Sequence, residues 1–98
     1  MFYTYIMASQ RNGMLYTGST DDLPKRVFNH QQGAGSAFTA RYNVTRLVWF
    51  ESHETRHAAF RRERQIKEWR RAWKLHLIEE KNPDWRDLSD ELNNLLGF

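Results

Sequence analysis

Three observations predict a small α/β domain. Two runs rich in aromatic and β-branched residues, Phe2 to Ala8 and Met14 to Thr17, flank Asn12-Gly13, the dipeptide that most favours a tight hairpin, so they should pair antiparallel. A third such run, Thr45 to Glu51, is apolar enough to be well buried. Around these strands, apolar residues recur at three- and four-residue spacing, the signature of helices packed on a sheet. With 98 residues the chain has room for one modest core and no second one.

In the first strand the two-residue period puts Tyr3 and Tyr5 on one face, and the hairpin brings Tyr16 up beside one of them. After Tyr16 the chain should leave the strand in a tight turn, where Gly18 lets the backbone pass closely. A helix then spans 23–31, capped by Asp21 or Asp22, with Pro24 tolerated in its first turn. Its Leu23 and Val27 face the core, and Arg26 and His30 lie four apart beside that stripe.

Residues 31–42 contain Gly33, Gly35 and Ser36 without periodicity and predict a loop. From Glu54 to Lys67 the pattern is helical, with Ala59, Phe60, Glu63, Ile66 and Lys67 on one face, so that a carboxylate interrupts an apolar stripe. A further helix is expected from about Arg71 to Glu80, with Trp73, Leu77 and Ile78 inward; Trp69 is left open. Asn82-Pro83 should stop it. The domain thus covers residues 1–81, and 82–98 form an acidic tail, either a short helix docking through Leu88, Leu92 and Leu95 or a frayed end.

Charge and composition narrow the chemistry. The net charge is +3, and eight of the fifteen Lys and Arg residues fall between Arg56 and Lys74, opposed there only by Glu63 and Glu68. That run suits a polyanion, with Trp69 and Trp73 as rings on which bases could stack. Arg62, Lys67, Arg70 and Arg71 are its candidate phosphate contacts. With no cysteine, thiolate metal sites, disulfides and cysteine nucleophiles are excluded. His53 and His57 are four apart but lack a third ligand at suitable spacing. No apolar run reaches bilayer length, which makes a cytoplasmic protein without membrane contact the default expectation.

Tyr5, Tyr16 and Arg26 follow one another at separations of eleven and ten, and here the chain resembles the GIY-YIG nuclease family, in particular its small stand-alone members. Tyr3-Thr4-Tyr5 stands where that family has its first signature tripeptide and Tyr16-Thr17-Gly18 where it has the second. Arg26 matches the helix arginine, His30 the histidine that often follows it, and Glu63 the metal-binding glutamate. Thr4 and Thr17 replace isoleucines and Tyr3 a glycine, which weakens the literal motif more than the site.

The resemblance implies a three-stranded antiparallel sheet flanked by helices and a divalent-metal-dependent endonuclease using Mg2+ or Mn2+ on DNA. The residue types suit phosphodiester hydrolysis: Glu63 for a hard cation, Arg26 for a forked grip on phosphate, Tyr5 or else Tyr16 as base, and His30 to assist or orient the phenol. So small a chain offers little surface for reading a long sequence, which directs the expectation towards single-stranded or branched DNA. A nucleic-acid-binding module that cleaves nothing, and a protein-interaction adaptor using the acidic tail, are the competing expectations.

Overall fold

The computed structural model describes residues 1–96, with side chains through Leu92. Its elements in order are β1 (Phe2–Ala8), β2 (Leu15–Thr20), α1 (Leu23–Gln31), α2 (Ala37–Arg41), β3 (Arg46–His53), α3 (Arg56–Glu68), α4 (Arg71–Lys81) and α5 (Ser89–Leu96). The three strands form one antiparallel sheet in the order β2-β1-β3.

The hairpin turns where the sequence predicts it. Asn12 takes the left-handed conformation (φ 57°), the Gly13 N–H donates to the Gln10 carbonyl at 2.9 Å, and Ser9 N–H closes the ladder on Met14. Arg71 reaches across from the start of α4 to donate to the carbonyls of Asn12 and Gly13 at 2.8 and 2.7 Å, tying the tip to the helical layer.

β1 is the central strand and is buried on both faces. Tyr3, Tyr5 and Met7 pack with Leu23 and Val27 of α1, Val44, Leu47 and Leu92 of α5. Ile6 and Ala8 point the other way and pack with Val48, Trp49, Ile66 of α3, Ile78 of α4 and Trp85. Thr4, buried on that second face, satisfies its hydroxyl by donating to the Ala59 carbonyl at 2.8 Å. Where the chain length predicts a single core, the sheet carries an apolar cluster on each face. A bulge in β3 keeps both supplied: Ile6 pairs with Trp49 but Met7 with Leu47, so Val48 is an extra residue. Val48 and Trp49 therefore face the same core although they are adjacent in sequence.

Several elements depart from expectation. β2 does not end in a turn after Thr17. It continues through Gly18, Ser19 and Thr20, paired with Tyr5, Thr4 and Tyr3. The segment expected to be wholly loop contains α2, a single short helix capped by Ser36 through the Thr39 N–H. In α3, Ala59 and Ile66 are buried as expected, but Phe60 and Lys67 are exposed and Arg62 takes the flanking half-buried place.

Trp73 is not core. The buried line of α4 runs through Leu75, Ile78 and Asn82, and at about 100° per residue Trp73 lies far round the helix from it. Trp69 is partly buried against the same core. The indole that fills this space is Trp85, fully buried, its Nε1–H donating to Glu79 at 2.8 Å. Asn82 holds the chain beyond α4 by donating to the carbonyls of Val48 and Arg86, and the Leu88 N–H donates to Leu47 at 2.8 Å. The tail thus covers one end of β3 before α5 begins. Leu88 and Leu92 pack as expected of a docking helix; Leu95 lies outside the described side chains.

Candidate active site

Tyr5 leaves the middle of β1 beneath β2. Its ring is fully buried, and its hydroxyl lies 3.0 Å from His30 Nε2. Gly18 sits opposite it in the ladder, and a Cβ there would fall 2.5 Å from the phenol oxygen. The missing side chain of Gly18 is therefore the space the hydroxyl occupies, which no other residue type would leave open. Tyr16, diagonal to Tyr5 on β2, places its ring 6.3 Å from the Tyr5 ring and 5.0 Å from the imidazole.

His30 ends the buried stripe begun by Leu23 and Val27. Its Nδ1 lies 3.1 Å from Thr39 Oγ1, and the same hydroxyl is 3.2 Å from the Ser36 carbonyl. The hydroxyl also lies 3.0 Å from Ser36 Oγ. Where it donates to the carbonyl it accepts from Nδ1–H, and that tautomer leaves the Nε2 lone pair facing the Tyr5 O–H. Gly35 makes room for the ring, since a Cβ there would fall 2.1 Å from Nδ1.

Burial, with the neighbouring Arg26 guanidinium adding to it, lowers the His30 pKa below its ordinary value, so the imidazole is neutral at neutral pH. Burial raises the Tyr5 phenol well above its ordinary value. Tyr16 adds to that rise and Glu63 adds a little, while Arg26 opposes it. The resting pair is thus an uncharged phenol donating to an uncharged imidazole.

Arg26 comes from α1 and Glu63 from α3; Ser19 of edge strand β2 links them, bonding the carboxylate and lining the same cleft as Arg26. Ser19 donates to Glu63 Oε1 at 2.6 Å, and Lys67 donates to Oε2 at 2.6 Å. The carboxylate is 13% exposed against 47% for the lysine side chain, so the anion is fixed while its counter-ion reaches in from outside. An open cleft of about 610 Å³ lies between Ser19, Thr20, Asp21, Asp22, Lys25, Arg26, Asn29 and Arg56. Arg26 Nε is buried and has no hydrogen-bond partner. Leaving such a donor unpaired costs about 1–3 kcal/mol, more for a charged group, so the cleft holds a standing demand for an acceptor.

The donor set fits a hard cation of the Mg2+ kind. Glu63 and the Ser19 hydroxyl offer only oxygen, and one carboxylate is enough for a cation that keeps several waters and takes the rest of its shell from a phosphate. Among the described residues no group of three or more His, Asp or Glu side chains gathers into a metal site, around Glu63 or anywhere else.

The expected catalytic residues therefore come together: Tyr5, Tyr16, His30 and Arg26 directly, Glu63 through Ser19. The expected phosphate contacts do not form one patch. Arg62 turns towards β3, donating to Glu51 at 3.2 Å and to Gln65 at 2.6 Å with its guanidinium over Trp49 and Trp69. Arg71 is engaged with the hairpin and Lys67 with Glu63, while Arg70 is exposed. Sequence reasoning missed Thr39, Gly35 and Ser19. Ser36, three residues before Thr39 and able to cap a helix, was the one signal for α2.

The model of the GIY-YIG catalytic domain matches residues 1–76. The chain is similar to a UPF0213 protein of Clostridium perfringens, 37% identical over 95% of this chain and 99% of that one. A UPF0213 protein of Haloquadratum walsbyi is 41% identical over 80% of this chain and 86% of that one. Among solved structures, the solution NMR structure of the UPF0213 protein BH0048 from Bacillus halodurans is similar in fold, with a TM-score of 0.55 and 30% identity over 89% of this chain and 93% of that one.

Proposed function

The chain belongs to the GIY-YIG family, and from that membership we propose that it is a divalent-metal-dependent endonuclease that hydrolyses phosphodiester bonds in single-stranded or branched DNA. The observation that carries the reading is the Tyr5 hydroxyl 3.0 Å from His30 Nε2, beside the Arg26 guanidinium whose buried Nε has no partner. A phenol acts as a base only after giving up its proton, and here the acceptor is already in place.

The roles follow from these positions. A scissile phosphate entering the cleft accepts from Arg26, which satisfies the buried Nε–H and sets positive charge against the oxyanion as it develops. As the Tyr5 oxygen takes a proton from the attacking water, its own proton passes to His30 Nε2, and Thr39 keeps hold of the Nδ1–H on the resulting imidazolium. The water oxygen forms the new bond to phosphorus as the bond to the leaving deoxyribose oxygen breaks; that oxygen takes a proton from solvent water, and the His30 imidazolium gives its proton back to solvent to restore the resting site. Mg2+, or Mn2+ in its place, held by Glu63 would polarise a phosphoryl oxygen and offset the phosphate charge. Lys67 must swing off Oε2 to admit it, which its exposure permits. Tyr16 packs against both Tyr5 and His30 and holds their rings in register.

The test is cleavage of supercoiled plasmid and of labelled single-stranded and branched oligonucleotides with Mg2+, Mn2+ or EDTA. Metal-dependent products that disappear in Glu63→Gln, which keeps the shape and loses the charge, are expected. Binding without cleavage under every metal would replace the endonuclease by a nucleic-acid-binding module on the same fold.

A further inference from the structure

The rings of the site do not stop at Tyr16. Phe38 of α2 lies 6.5 Å from the Tyr16 ring, Tyr42 lies 5.0 Å from Phe38, and the Arg41 guanidinium stands 5.4 Å over Tyr42. Exposure rises along the row: Tyr5 is fully buried, Phe38 is 37% exposed and Tyr42 40% exposed. An exposed aromatic ring taken singly needs no explanation. A row leading outward from a buried catalytic phenol is a different matter, because its inner end is fixed by the chemistry and its outer end is free.

α2 is also held rigidly to the site. The Thr39 hydroxyl that bonds His30 Nδ1 belongs to the same turn of helix as Phe38, and the Ser36 cap bonds that threonine twice. Charge favours a polyanion along the path: Lys25, Arg26 and Arg56 line the cleft against Asp21 and Asp22, and the segment from Leu23 to Phe50, which includes all of α2, carries no carboxylate.

We propose that Phe38 and Tyr42, with Arg41, form a base-stacking ledge for single-stranded DNA whose scissile phosphate lies at Arg26. The proposal rests on the endonuclease reading and names what that site would select: unpaired bases beside the phosphate. Every base has a π-face, so the ledge is tolerant of sequence, but a base paired within a duplex cannot reach it without leaving the stack. Selection for single strands then comes from the ledge and not from hydrogen bonds to base edges. A second aromatic groove of about 520 Å³, lined by Trp69, Trp73, His76, Leu77 and Glu80, is the competing stacking surface. It lies between α3 and α4, away from α1 and α2, and bears the Glu80 carboxylate.

The experiment is equilibrium binding in EDTA, where cleavage cannot remove the ligand, of an oligothymidylate and of an abasic strand of the same length. Phe38→Ala should weaken binding of oligothymidylate roughly 5- to 100-fold and leave the abasic strand within about twofold. Phe38→Trp should restore binding, and Phe38→Leu, which keeps the apolar bulk, carries the test if the alanine variant does not fold. With the unsubstituted protein and with Trp73→Ala, a fluorescent purine analogue in the strand should be quenched on binding; with the Phe38 variants lacking a ring it should not. Equal losses on both strands, no loss on either, or quenching that vanishes only in Trp73→Ala would overturn the ledge. Metal-dependent cleavage is read separately, so failure of the endonuclease reading and failure of the ledge are distinguishable.

Discussion

Arg26 carries a guanidinium whose Nε is buried without a partner, and its value to the proposed reaction would lie in that unmet demand. Lysine supplies a point charge and no planar fork, so Arg26→Lys should cost turnover nearly as much as Arg26→Ala, about 10²- to 10³-fold, with a smaller loss of affinity. Single-turnover cleavage beside binding in Ca2+ measures both, and activity within a few fold in the lysine variant would reduce Arg26 to a surface attractor. His30 gives a pH prediction whose sign is set by its lowered pKa. Between the folded value and the ordinary value of about 6.5, the unfolded chain binds a proton that the folded chain refuses. Stability should therefore fall as pH drops below about 6.5, and cleavage should rise with pH through a value below 6.5 and then level off. Urea denaturation across that range, repeated in His30→Gln, checks the first half; an unchanged slope in the variant would assign the titration to another group.

Among the elements, α2 bears on more than its five residues suggest, because Thr39 is the hydrogen-bond partner of His30 Nδ1, and on the proposed mechanism it keeps the proton there. Thr39→Val keeps the volume and removes the hydroxyl. With no acceptor at Nδ1 the proton can move to Nε2, which then donates to Tyr5 instead of accepting from it. Cleavage should fall about 10²-fold or more while stability falls by only about 1–3 kcal/mol, and Thr39→Ser should recover both. Equal behaviour of Val and Ser at this position in kcat would show that the tautomer is set elsewhere. This device was not legible in the sequence, since one helical turn between Gly33, Gly35 and Tyr42 leaves no periodicity to detect. Long-range pairing was legible where local chemistry specifies it: Asn12-Gly13 sets the β1–β2 register, and that register brings Gly18 over Tyr5. Trp73 and Trp85 could not be told apart by composition. Their places depend on the helical phase of α4, restarted at Arg70 after the break at Trp69, and on a chain reversal beyond Pro83.

For the molecule as a whole, the basic run resolves into residues with different duties. Arg62 and Arg71 already hold protein groups, whereas Arg70 has no ion-pair partner among the described residues. Arg70→Ala should reduce the slope of log affinity against log salt by about 1, and Arg62→Ala should change it less while lowering the urea midpoint. Equal slopes for Arg70→Ala and the parent chain would place the DNA path elsewhere on the surface. Strand order has a further consequence, which concerns time. β1 lies at the centre of the sheet but is the first strand made, and an isolated two-stranded hairpin is only marginally stable. Its other neighbour, β3, ends at His53, and Glu63 lies ten residues further on. Tyr5, Tyr16, Arg26 and His30 all emerge from the ribosome before either, so the growing chain carries four of the proposed site residues while lacking both the third strand of the sheet and Glu63. On the proposed function, cleavage of DNA would therefore have to wait until the chain is complete through α3.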